Sequence, residues 1–114
     1  MTENTLEKLT PAPAPVQTLL LICEKCGKKQ VLEGEENPSI QIQRQLKARI
    51  KETLKPGTAR AITTSCMNIC PVNAIAIGYI DSLQQNTSAQ FFLLNEKDTD
   101  RAANDLFQQF CLKI

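Results

Sequence analysis

Five cysteines and no histidine decide which chemistry this chain can perform. Cys23-x-x-Cys26 and Cys66-x-x-x-Cys70 form two close pairs of thiols. Thiolates select soft or borderline metals, namely iron in clusters or zinc. A [2Fe–2S] centre needs two thiolates on each iron, which two close pairs provide. Zinc accepts the same sulfurs in a tetrahedron. Structural zinc commonly sits between CxxC-like knuckles, so the longer Cys66–Cys70 spacing points toward iron without separating the two. The lack of histidine excludes Ser-His-Asp and Cys-His catalysis, a Rieske centre and any His-ligated zinc site. Cys111, the remaining thiol, stands next to Phe110 at the end of a terminal helix and reads as a small apolar core residue.

The elements that must position these thiols follow from pattern. Val16 to Ile22 is a short, nearly continuous apolar run, the mark of a strand covered on both faces. It ends at Cys23, after which Gly27, Lys28 and Lys29 open a loop that continues through acidic Glu33 to Glu36. Asn37-Pro38 is a helix start, with Asn as cap and Pro at the first helical position. Ile42, Leu46, Ile50 and Leu54 then recur at the spacing of one helical face. Arg44, Lys47, Arg49, Lys51 and Lys55 line the remainder as a solvated basic side, and Pro56-Gly57 ends the helix. Ala59 to Thr64 is a second strand leading into the Cys66–Cys70 loop. Ala74 to Ile80 is a third, with Ile75, Ile77 and Tyr79 on one face and Ala74, Ala76 and Gly78 on the other. Asp81 to Ser88 reads as a polar turn, Gln90 to Leu94 as the return strand of a hairpin. A last helix begins near Thr99 with Ala103, Leu106, Phe107 and Phe110 inward.

The order strand, helix, strand, strand, strand, helix predicts an α/β fold with a mixed four-stranded sheet. A strand–helix–strand unit normally joins two parallel strands, which finish at the same sheet edge. Cys23 and Cys26 follow the first strand, Cys66 and Cys70 the second, so topology alone gathers both pairs at one end. Only two helices are expected, and in the thioredoxin-like arrangement that a resemblance given below implies they share one face, which leaves the other open with few charges to solvate it. Homodimerisation through that face is expected.

Composition bounds the setting. At 114 residues and net charge +1, the chain has room for one domain and no overall pull toward nucleic acid or membrane. It has no tryptophan, one tyrosine and four phenylalanines, too few rings for a base-stacking platform. Residues 1–15 have neither the basic start nor the apolar run of a signal peptide, and Leu19 to Ile22 is too short to span a bilayer. They read as a disordered tail before a domain over 16–114, and the expected location is the cytoplasm. Paired cysteines in that reducing compartment mean metal or redox chemistry more often than structural disulfides.

Thr64-Ser65-Cys66-Met67-Asn68-Ile69-Cys70 is similar to the Thr-Gly-Cys-Met-x-x-Cys segment of the thioredoxin-like [2Fe–2S] ferredoxins. In that family a first cysteine follows strand one, and a helical crossover leads to a Cys-x-x-x-Cys loop, a hairpin and a last helix. The resemblance covers roughly Val16 to Phe110. It implies a thioredoxin-like fold, a [2Fe–2S] cluster on Cys23, Cys26, Cys66 and Cys70, and an electron carrier or redox accessory. It also implies a redox partner protein and commonly a homodimer. The family's second ligand lies in a long loop well beyond the first, whereas here only Cys26 is available. The close CxxC is also similar to a branch of metal-binding proteins with a Cys-x-x-Cys…Cys-x-x-x-Cys arrangement. A local likeness to the closing segment of a bacterial [4Fe–4S] motif lacks its upstream cysteines, since Arg60 and Thr63 stand there.

Two other functions use the same residues. One is a zinc or other metal-binding protein with four cysteine ligands. The other is a thiol–disulfide oxidoreductase using Cys23 and Cys26, with Pro71 before a later strand much as in thioredoxin. That reading wants a nucleophile at a helix N-terminus, and the first helix is expected only at Pro38.

Overall fold

The computed structural model describes residues 9–10, 16–31, 34–69, 71, 73–81 and 89–111. Most of the expected tail over 1–15, the expected polar turn over 82–88, Glu33 and Cys70 lie outside the described residues. The fold is α/β, a mixed four-stranded sheet with three helices. Strand β1 spans Thr18–Cys23, helix α1 Glu24–Lys28, helix α2 Pro38–Thr53, and strand β2 Ala59–Thr64. Strands β3 (Ile75–Asp81) and β4 (Gln90–Leu94) follow, then helix α3 (Thr99–Leu106), which widens into a π-helical turn at Phe107–Cys111.

The sheet order is β2-β1-β3-β4. β1 and β2 are parallel, and β3 is antiparallel to both β1 and β4. Register assigns the faces. Leu20 pairs with Ala61 on one side and Tyr79 on the other, and Ile22 with Thr63 and Ile77. These positions, with Phe92 opposite Ile77, face the helices. Leu19, Leu21, Arg60, Ile62, Ala76, Gly78, Ile80, Phe91 and Leu93 share the opposite face.

α2 forms where the sequence predicts it. The Asn37 side chain accepts the Ser39 N–H at 2.9 Å, and Pro38 occupies the first turn. Ile42, Leu46 and Ile50 are buried against the sheet, with Leu54 packed beside them. Each fully buried Leu or Ile contributes roughly 1.5–3 kcal/mol relative to an exposed one. α3 lies on the same sheet face: Ala102, Ala103, Leu106, Phe107, Phe110 and Cys111 are buried there. Arg49 of α2 donates to Asn104 of α3 at 3.1 Å. Phe110 closes the layer, its ring 4.7 Å from Tyr79 and 5.2 Å from Phe92. Cys111 is in the core, as its setting in the sequence indicates.

Two expectations are corrected. The chain after Cys23 is a short helix, not a loop running to Pro38. Gly27 lies within it and has no left-handed φ, unlike Gly34 and Gly57. A Cβ at Gly27 would overlap Asn37 Oδ1 and Ser39 Oγ and stand 2.8 Å from Ser39 N. Gly27 is thus the clearance that lets the N-terminus of α2 pack onto α1.

Candidate functional site

The parallel register places Cys23 beside Thr64. The CxxC turn and the Ser65–Cys66 stretch therefore leave the sheet at one edge, as the crossover argument requires. They are also joined there. The Ser65 carbonyl accepts the Lys25 N–H at 3.2 Å, and the Cys23 thiol approaches the same oxygen at 4.0 Å.

From the other side the start of α2 clamps the turn. The Ser39 hydroxyl, fully buried, donates to the Cys23 carbonyl at 2.6 Å, and the Asn37 amide donates to the Glu24 carbonyl at 2.9 Å. Asn37 and Ser39 are legible in sequence only as a helix start. Their second role, holding the thiol-bearing turn, depends on packing between segments and has no local signal.

Cys23 caps α1, its sulfur accepting the Cys26 N–H at 3.4 Å. This overturns the expectation that no helix N-terminus meets the first thiol. Cys23 and Cys26 are 1% and 3% exposed, whereas Cys66 is half-buried. Burial pushes the Cys26 thiol above its ordinary value, and the nearby Cys23 sulfur adds to the rise, while a backbone hydrogen bond from Ala76 opposes it. Cys66 Sγ accepts the Asn68 N–H at 3.3 Å, in a loop that Asn68 bends with a left-handed φ of 60°. Each described sulfur of the two pairs thus meets a backbone N–H.

Thr64 Oγ1 is buried and has no hydrogen-bond partner among the described residues. Buried polar atoms are normally satisfied, and this one belongs to the residue paired with Cys23. A donor hydroxyl and N–H-supported sulfurs at one edge suit a sulfur-ligated centre.

Cys23 and Cys26 adjoin, and Cys66 stands at the same edge. Among the described residues, no three Cys, Asp or Glu side chains are grouped closely enough to hold one metal ion. Cys70, the remaining candidate ligand, lies outside the described residues. Cys111 belongs to the core, where burial pushes its thiol up to about 11.

Beside the turn, a cleft of about 460 Å³ is lined by Lys29, Glu35, Glu36, Glu96 and Lys97 among others, and no described cysteine lines it. Cys23 and Cys26, both buried, do not open into this cleft. Among the described residues, no helix is long and apolar enough to cross a membrane. Comparison with family models, with curated proteins and with solved structures gives no match.

Proposed function

We propose that this chain is a small [2Fe–2S] ferredoxin-like protein with a thioredoxin-like fold, working as an electron carrier or cluster-binding redox accessory in the cytoplasm. Cys23, Cys26, Cys66 and Cys70 would hold the centre, which when bound supplies one-electron redox chemistry. The observation that carries the reading is the Ser65 carbonyl, bonded to Lys25 N and adjacent to Cys23 Sγ. It ties the CxxC turn to the residue before Cys66. The backbone N–H groups of Cys26, Ala76 and Asn68 supply hydrogen-bond donors to the three described sulfurs. Burial of Cys23 and Cys26 excludes water from that side. We place a second copy of the chain on the open sheet face.

A dithiol function is the second reading. It is favoured by Cys23 capping α1 with Cys26 one turn further on, the arrangement from which a disulfide between the two could form and be reduced. Against it stands the burial of both sulfurs, which leaves neither open to a partner disulfide.

Protein purified without oxygen decides between them. The cluster reading expects a reddish-brown protein with about two irons and two acid-labile sulfides per chain. Stoichiometric zinc without sulfide replaces it with a four-cysteine zinc site. Metal-free protein with a reducible Cys23–Cys26 disulfide replaces it with dithiol chemistry. Cys26→Ser should lose most of the metal, and Cys111→Ser should retain it. The reverse outcome removes Cys26 from the ligand set.

A further inference from the structure

The outer edge of β2 and the flank of α2 form a groove that the thiolate site does not use. β2 is an edge strand, with no strand partner beyond it among the described residues. In a parallel pair, alternate residues direct their backbone groups to opposite sides. Thr18 N donates to Thr58 O at 3.0 Å, so Thr58, Arg60, Ile62 and Thr64 turn toward β1. Ala59, Ala61 and Thr63 turn outward. Gln43 of α2 confirms the direction, its Nε2 donating to the Ala61 carbonyl at 2.9 Å. A side-chain amide thus already does at the middle of the edge what a neighbouring peptide N–H would do.

The groove, about 310 Å³, is lined by Lys47 and Lys51 from α2 and Arg60 from β2, with Ile50 and Ile62 between them. No carboxylate and no aromatic ring is among its described lining. None of the three cations has an ion-pair partner among the described residues; the α2 cation that does is Arg44, paired with Glu36 at 2.9 Å. The charge is one-sided in a chain whose net charge is only +1.

We propose that this groove docks an extended acidic segment of a partner protein, added to the sheet as a strand outside β2. Backbone pairing to Ala59, Ala61 and Thr63 would supply the register. Carboxylates on one face of the added strand meet Lys47 and Lys51, and on the other Arg60. Small apolar side chains fill the space at Ile50 and Ile62. A nucleic-acid strand has the matching charge but no backbone to pair with the edge, and it finds no ring to stack on.

The test uses the full chain and a short labelled peptide repeating glutamate-glutamate-valine-valine, which puts carboxylates and small apolar side chains on both faces of a strand, followed by fluorescence anisotropy at low salt. Saturable binding is expected, weakened about tenfold or more by Lys47→Glu with Lys51→Glu, and likewise by Arg60→Glu. Gln43→Ala, which frees the Ala61 carbonyl, should tighten it. The same peptide N-methylated at every residue should not bind, because both of its pairing edges are blocked. Three results overturn the proposal. Equal binding of the N-methylated peptide, or of an oligothymidylate, would reduce the groove to an unspecific cationic surface. No binding at millimolar peptide would leave the charges as guards against edge-to-edge aggregation. The substituted cations are exposed, and unchanged far-ultraviolet circular dichroism checks that the variants fold.

Discussion

Cys26 and Cys111 are both buried thiols, but only Cys26 has a backbone donor facing its sulfur. For Cys111 burial alone acts, lifting its pKa from 9.0 to about 11. The native chain keeps a proton there that the unfolded chain releases, so the sign is fixed. This contribution to stability is whole below pH 9.0 and is lost as pH rises through about 11. Cys26, raised by burial, acts in the same direction. Urea midpoints of the metal-free, reduced chain should therefore fall over that alkaline window, and Cys111→Ala should show a shallower fall. An unchanged slope in Cys111→Ala would remove Cys111 as its source. At this scale the sequence was informative about residue type and spacing. It was silent about which sulfurs meet an N–H, because the Ala76 and Asn68 donors depend on strand register and loop conformation.

Among the elements, α1 is the one the sequence did not disclose. It has five residues, too few for a hydrophobic period to register, and one of them is glycine, a poor helix former. An isolated helix of this length does not persist in water, so tertiary contacts must hold it. Those contacts are the Ser39 hydroxyl, the Asn37 amide and the Ser65 carbonyl. Gly27→Ala should destabilise the fold by roughly 1–3 kcal/mol, because the added methyl pushes α2 off α1. Ser39→Ala leaves the Cys23 carbonyl without its donor and should cost about 1–3 kcal/mol. Urea unfolding measures both. In the folded state both variants should also label faster at Cys23 and Cys26 with a thiol reagent, since the clamp that buries them is weakened. Normal stability with slow labelling would show that α1 is held some other way. By contrast α2, with its cap, proline and fourfold repeat of apolar residues, was readable nearly to its ends.

For the whole molecule, the uneven covering of the sheet matters most. The helices bury one face completely at Leu20, Ile22 and Ile77. On the other face Met67 lies over Gly78, where a Cβ would come 3.4 Å from its sulfur, but Phe91 and Leu93 of β4 are each 53% exposed. Arg60 is the one charged residue of the described strands on that face. Apolar side chains grouped on an open sheet face mark an association surface more often than scattered ones do. Sedimentation at micromolar concentration should find a dimer, and Phe91→Lys with Leu93→Lys should shift it to monomer. A monomeric native chain would leave the face as plain exposed surface. The basic groove on β2 shares Arg60 and Ile62 with this face, but Lys47 and Lys51 belong to the groove alone and Phe91 and Leu93 lie on β4 at the opposite sheet edge, so those two pairs test the surfaces separately.

The alternation in β3 and the fourfold spacing in α2 determined the elements, because they repeat within one segment and need no knowledge of neighbours. Parallel pairing of β1 and β2 followed from the helical crossover between them, and with it the meeting of the CxxC turn and the Cys66 loop at one edge. Only the tertiary structure decided how that meeting is made. Cys23 became a helix cap because Ser39 holds its carbonyl and Asn37 the carbonyl of Glu24, both from a segment distant in the chain. Gly27 became indispensable as clearance rather than as a turn, because α2 packs against it. The basic residues of α2 became one wall of a groove because β2 lies at the sheet edge beside them. Local pattern encodes local geometry, whereas contacts between distant segments exist only after the chain has folded.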